Sequence, residues 1–380
     1  MTSRIDFHLR NAQLVLPDCV LPGNVHVLDG RIAAIEPGRS MVGDDMQGDY
    51  LIPGLVELHT DHLEAHYSPR PGVRWNPIAA IQSHDAQVAA AGITTVLDCL
   101  RMGVDDADFE SGELLALSEH LQKAEDQERL RAEHLLHLRC EVSSPGVLDD
   151  CAQFENHDKV MLVSLMDHAP GQRQFVDMAV FEHYHRRKEG MDEETFKAFA
   201  SKRLENSHRY SDAHRSSIAA MCKERNITLA SHDDATVAHV EDAIELGIQI
   251  SEFPTTVEAA SAAHARKMNI LMGAPNVVRG GSHSGNVGAR QLAKLGVLDM
   301  LSSDYVPSSL LHAPFVLSLQ EKLMTLHDAI ALVTSHPARS IGFDDRGVLA
   351  ENCRADLVRV RYQDNVPTVK CVWREGIRVA

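Results

Sequence analysis

The chain has 380 residues, 44% of them apolar, which is enough to bury one large α/β barrel or two domains of ordinary size. Its formal charge of −17 excludes the basic surface that a nucleic-acid partner requires. No apolar run reaches the ~18 residues of a membrane span, the start MTSRIDFHLRNAQLVL lacks the pattern of a secretory leader, and seven scattered cysteines without CxxC spacing fit a reducing compartment, so a cytoplasmic protein without a membrane partner is expected.

Residues 3–50 alternate apolar and polar positions, with turns expected at Pro22-Gly23 and Asp29-Gly30, and read as strands in hairpins. From 51 to 305 the chain repeats one unit: a short apolar run, a polar end, then a helical pattern. Eight strands are predicted, over 51–59, 92–100, 134–142, 159–168, 226–234, 247–253, 269–276 and 298–305. Helices are predicted between most of them, for instance over 112–132, 235–246 and 257–266. The charged stretch 170–226 reads as a helical insertion, and residues 347–380 alternate like the N-terminus. The expected fold class is α/β: a (β/α)8 TIM-like barrel over 51–346 and a small β-sheet domain formed by 1–50 and 347–380.

Barrels of parallel strands place chemistry at the carboxyl ends of those strands. The eight ends carry His59 with Asp61, Asp98, Glu141, Asp167 with His168, His232 with Asp233 and Asp234, Glu252, Asn276, and Asp304. Helix capping accounts for isolated acids and is the preferred reading for Asp98, Asp233 and Asp234. It does not account for three histidines and a glutamate at the ends of one set of strands. Imidazole and carboxylate donors in that number point to divalent metal. His59 and Asp61, two residues apart on a strand, project to one side and can grip a single ion.

The stretches LIPGLVELHTDHLE, AGITTVLD, EHLLHLRCE, MLVSLMDHAPGQRQF, ASHDDAT, EFPTT, LMGAPNVVRGGSHSGN, LSSDY and RADLV run through the whole chain. In them the sequence resembles the amidohydrolase superfamily and, within it, the family of alpha-D-ribose 1-methylphosphonate 5-triphosphate diphosphatases. The resemblance implies that His59 and Asp61 bind one metal ion, that Glu141 bridges, that His168 and His232 bind a second ion, and that Asp304 sits by the reactive water. It implies two divalent ions per chain, with zinc the first choice and manganese or iron next. The superfamily's commoner opening is H-x-H, whereas this chain has Asp61 in the second position. His62 is the alternative donor, expected to face away from Asp61 if the strand stays extended.

The reaction so implied is release of diphosphate from alpha-D-ribose 1-methylphosphonate 5-triphosphate in phosphonate degradation by the carbon–phosphorus lyase pathway. A phosphorylated small molecule is then the partner, with self-association into a homo-oligomer left open. An acidic chain must gather cations locally for such a substrate, and Arg70, Arg139, Arg173 and Arg279 are the candidates, with the loop Gly280, Gly281, Ser282, His283 and Ser284 offering main-chain N–H groups. The same scaffold would also serve hydrolysis of a cyclic amide or N-acyl substrate, and a non-enzymatic scaffold subunit is the third reading.

Overall fold

The computed structural model describes residues 5–70, 72–103, 112–170, 173, 192–282 and 285–380. Strands from the two chain ends build one sheet: β1 (Asp6–Val15), β2 (Val20–Leu28), β3 (Arg31–Pro37), β4 (Asp44–Asp45), β5 (Tyr50–Pro53), and, much later, β14 (Leu357–Gln363), β15 (Val366–Arg374) and β16 (Ile377–Arg378). Their order is β16-β15-β14-β5-β1-β2-β3, with β4 paired to β1. The alternation read from the sequence buries one face, where Leu9, Leu14, Val25, Val27, Ile32, Leu51, Leu357 and Trp373 pack together.

Asp29 and Gly30 both have positive φ (47° and 80°) and make the tight β2–β3 hairpin. Pro22-Gly23 is not a turn. It lies inside β2, where a Cβ on Gly23 would stand 2.7 Å from Leu14 Cδ1 and 2.8 Å from the Glu36 carbonyl oxygen. Close approach of neighbouring strands, not a reversal, requires glycine there.

The second sheet is parallel and eight-stranded: β6 (Leu55–Thr60), β7 (Ile93–Met102), β8 (Glu133–Glu141), β9 (Val160–Met166), β10 (Thr228–His232), β11 (Ile250–Glu252), β12 (Asn269–Gly273) and β13 (Met300–Ser302). Its spatial order follows the chain, and a parallel bridge between Thr60 and Asp304 joins the last strand's end to the first. This is the expected barrel, with all eight strands where the apolar runs put them. Every residue of β6 is buried, as in a strand covered on both faces. The helices Glu113–Asp126, Val237–Glu245 and Val257–Ala265 fall within the predicted helical stretches, and the described part of 170–226 is dominated by one helix, Glu193–Glu224. Among the described residues no helix is long and apolar enough to cross a membrane.

The chain divides into two compact units, one of Met1–Asp98, His120–Leu135 and Met272–Ala380, the other of Cys99–Glu119 and Leu136–Leu271. In the first, β5 runs antiparallel to β14, and Asp49 beside this pairing accepts from Arg359 Nε at 2.6 Å and from Arg361 Nε at 2.8 Å. Asp49 is 8% exposed, and although burial opposes its charge, the two guanidinium groups hold its carboxyl below the usual carboxylate range. One carboxylate thus ties the N-terminal strands to the C-terminal ones. Asp49→Ala is expected to lower stability by roughly 1.5–3 kcal/mol, the range for lost hydrogen bonds to charged groups. A urea midpoint indistinguishable from that of the parent chain would contradict this tie.

Candidate active site

In the first unit the site grows from the end of β6. Glu57 is fully buried and accepts from the main-chain N–H of His59 at 2.7 Å and of Ser303 at 2.6 Å. Burial, only partly offset by these donors, pushes its carboxyl up to about 7. The carbonyl of His59 accepts from Asp304 N–H at 3.1 Å, and the carbonyl of Asp304 accepts from Asp61 N–H at 3.3 Å. Three residues singled out from the sequence are therefore laced together by main-chain bonds. His59 Nε2 lies 3.9 Å from Asp61 Oδ1, so the two side chains share one side of the strand end. Asp304 has φ of +53°, and its carboxylate lies beside Gly273, where an added Cβ would be 3.6 Å from Oδ2. The strand does not continue through His62: it ends at Thr60, and His62 opens the short helix His62–Tyr67.

In the second unit Glu141 ends β8 and is 5% exposed. Its Oε2 faces His168 Nδ1 at 2.7 Å, and its Oε1 accepts from Ser143 Oγ at 2.5 Å and from His168 N–H at 3.2 Å. His168 Nε2 and His232 Nε2 lie 3.8 and 3.4 Å from Asp233 Oδ2, and His168, His232 and Asp233 offer donor atoms that all lie within 4.8 Å of one another. Burial opposes charge on both Glu141 and His168, but their pairing wins: Glu141 is held at about 2, and His168, with Asp233 assisting, is pushed up to about 9. A half-buried imidazole thus stands between two carboxylates, and the donors gathered there could hold a divalent ion.

His232 donates from Nδ1 to Glu252 Oε2 at 2.6 Å, so Nε2 is the nitrogen it turns toward Asp233. Ser164 Oγ donates to the same carboxylate oxygen at 2.8 Å, His137 Nε2 bonds to Ser164 Oγ, and His137 Nδ1 is 3.4 Å from Cys99 Sγ. Neither Asp233 nor Asp234 caps the following helix, because Thr236 does so through His239 N–H. Asp233, at φ +59°, turns instead to the two histidines. Asp98 caps nothing either. It lies within β7, fully buried, 2.6 Å from His84 Nε2 and 2.7 Å from His134 Nδ1.

The cationic candidates fall in different places. Arg139 is half-buried two residues before Glu141 on β8 and so shares its face. Arg70 is exposed in a turn with Val73, and Arg279 is exposed at the end of the helix Ala274–Arg279, 3.4 Å from the Tyr305 hydroxyl. Arg173 is 5% exposed and paired with Asp234, a partner 61 residues away that no local pattern could supply. Gly280 has φ of +88° and terminates the helix as a left-handed cap, while Gly281 and Ser282 follow half-buried. His283 and Ser284 lie outside the described residues.

Barrel, terminal sheet and strand-end donors together define a class, and residues 50–379 match the Amidohydrolase family. The chain belongs to that family, whose members typically bind metals. It is 45% identical over 375 residues to the alpha-D-ribose 1-methylphosphonate 5-triphosphate diphosphatase of Escherichia coli K12, covering 98% of this chain and 99% of the relative. Among solved structures it is similar to N-acetyl-D-glucosamine-6-phosphate deacetylase from Mycobacterium smegmatis (16% identity, TM-score 0.65, 98% and 100% covered). It is also similar to L-hydantoinase from Arthrobacter aurescens (15%, TM-score 0.57, 99% and 96% covered). At these identities the two structures speak to the fold alone.

The Asp98 network gives a pH test in the first unit. Burial opposes charge on His134, but Asp98 and Asp85 raise it to about 9, above the ~6.5 of an unfolded histidine. The stability this contributes is fully present below ~6.5 and is lost as pH rises through about 9. Asp98→Asn is expected to cost roughly 3–5 kcal/mol near pH 6, as for breaking a buried pair, and less as pH approaches 9. Urea unfolding at pH 6, 7.5 and 9 checks it, and an equal loss at all three would contradict it.

Proposed function

We propose that this chain hydrolyses alpha-D-ribose 1-methylphosphonate 5-triphosphate, releasing diphosphate and leaving the 5-phosphate. The observation that carries the reading is the 45% identity, across nearly the full length of both chains, to the Escherichia coli diphosphatase. The strand-end chemistry agrees with it. His59 and Asp61 are proposed as ligands of one divalent ion, and Glu141, His168 and His232 as ligands of another, with zinc the metal. The fit rests on the raised His168, a proton held between Glu141 and Asp233 where a metal's charge would serve, and on His232, whose Nδ1 bond to Glu252 turns Nε2 toward the same Asp233.

A bound divalent ion supplies positive charge to the attacked phosphoryl group and lowers the pKa of a water toward neutrality. The protein's own residues do the rest. Asp304 is the proposed base: its carboxylate takes the proton from the attacking water and returns it toward the departing diphosphate. Its left-handed main chain, bonded to His59 and Asp61, fixes where that carboxylate stands. Arg139, on the same strand face as Glu141, and the exposed Arg70 and Arg279 are the proposed phosphate contacts, and the main-chain N–H groups of Gly280, Gly281 and Ser282 are proposed to add to them.

Asp304→Asn is expected to keep its metal content and lose roughly 10²–10⁴-fold in kcat, the usual contribution of a general base. Near-normal turnover with full metal would remove Asp304 from the mechanism. Hydrolysis in ¹⁸O-water is expected to label the ribose-bound phosphate, because water attacks that phosphorus and the bond to diphosphate breaks. Label in diphosphate alone would overturn the assigned cleavage position, and turnover of hydantoin-like rings without diphosphate release would overturn the substrate class.

A further inference from the structure

Three histidines outside the proposed hydrolytic ligand set stand together in the first unit. His62 and His66 lie one turn apart on the helix His62–Tyr67, and His84 faces them from the helix Pro77–Ala90. Their ring centroids are 5.9 Å (His66–His84), 6.5 Å (His62–His66) and 6.5 Å (His62–His84) apart. An imidazole centroid sits roughly 3.2 Å from a zinc ion bound at the usual ~2.0–2.1 Å, so three rings sharing one ion stand on the order of 5–6 Å apart. The His66–His84 pair falls within that spacing and the two 6.5 Å pairs lie just beyond it, a gap that small side-chain turns close.

The hydrogen bonds of each ring decide its tautomer. His84 donates from Nε2 to Asp98, and its Nδ1, fully buried, has no hydrogen-bond partner among the described residues. His66 donates from Nε2 to Gln87 Oε1 at 3.0 Å, which leaves Nδ1 as the acceptor. His62 bonds to the main chain of Tyr305, and its buried Nε2 has no partner among the described residues. In each ring one nitrogen is held by an acceptor behind it, the arrangement that orients metal-binding histidines. Burying His62 Nε2 and His84 Nδ1 unsatisfied is unfavourable, so the cluster is poorly explained as packing alone.

We propose that His62, His66 and His84 form a zinc site of their own, with the fourth position open to water. Asp98 and Gln87 are its positioning residues. His62, Gln87 and Tyr305 also line an open cleft of about 300 Å³, which gives an ion a path to the site. All-imidazole ligation favours zinc over magnesium or calcium, which take oxygen donors.

Equilibrium dialysis of the chelated, full-length protein against Zn²⁺ alone tests this. His66→Ala is expected to bind one zinc per chain fewer than the parent chain, and Gln87→Leu to bind that ion 10–100-fold more weakly. The difference between chains is read, not the total, so failure of the hydrolytic ligand set would leave the expected difference intact. Co²⁺ substitution gives a second readout, in which the tetrahedral visible band of the parent should lose one ion's share in His66→Ala. Equal zinc content and affinity in parent, His66→Ala and Gln87→Leu would overturn the proposal.

Discussion

Glu141 and His168 face each other at 2.7 Å at the end of β8, and each holds the other's charge against the cost of burial. Burial penalises both, and their mutual attraction, with Asp233 aiding His168 and Ser143 aiding Glu141, keeps one ionised and the other protonated. The surroundings are arranged about that pair: Ser143 satisfies the second carboxylate oxygen, Asp233 sits at the far nitrogen of His168, and His232 meets the same Asp233. A metal entering here competes with a proton, so its affinity rises with pH until His168 has lost that proton.

The rest of the second unit's polar interior serves to aim those donors. Ser164 gives its proton to Glu252, so it accepts from His137 Nε2, and His137 Nδ1 is left to accept from the Cys99 thiol. The bonds from Cys99 to Glu252 all donate in one direction, and His232 donates from Nδ1 to the same carboxylate from the other side. Such fully satisfied networks are what allow buried polar groups to remain without destabilising a barrel interior. The first unit has a second buried network, with Asp98 between His84 and His134, and with Asp85 accepting the main-chain N–H groups of Arg131 and Ala132; there His84 Nδ1 is left without a partner among the described residues.

Much of the fold was readable from the chain because its signals are local. Continuous apolar runs ended by acids and histidines fixed the eight barrel strands, and alternation fixed the terminal sheet. What escaped depends on distance in sequence. Asp98 reads as a helix cap until its strand is seen to run on to Met102 and its histidine partners to lie 14 and 36 residues away. Asp233 was hidden by the same prior, although a histidine immediately before it was a usable signal. Pro22-Gly23 reads as a turn because glycine's two uses, reversal and close approach, look alike in one dimension. The arginines were readable as residues but not as sites: Arg173 found an internal partner, and Gly280 has a helix to end.

The central claim is that these strand-end histidines and carboxylates hold metal for diphosphate release. The most direct measurement is diphosphate release from alpha-D-ribose 1-methylphosphonate 5-triphosphate by protein stripped with a chelator, before and after zinc is restored. The account requires turnover to vanish on stripping and to return with zinc. Unchanged release from protein shown by elemental analysis to be metal-free would contradict it.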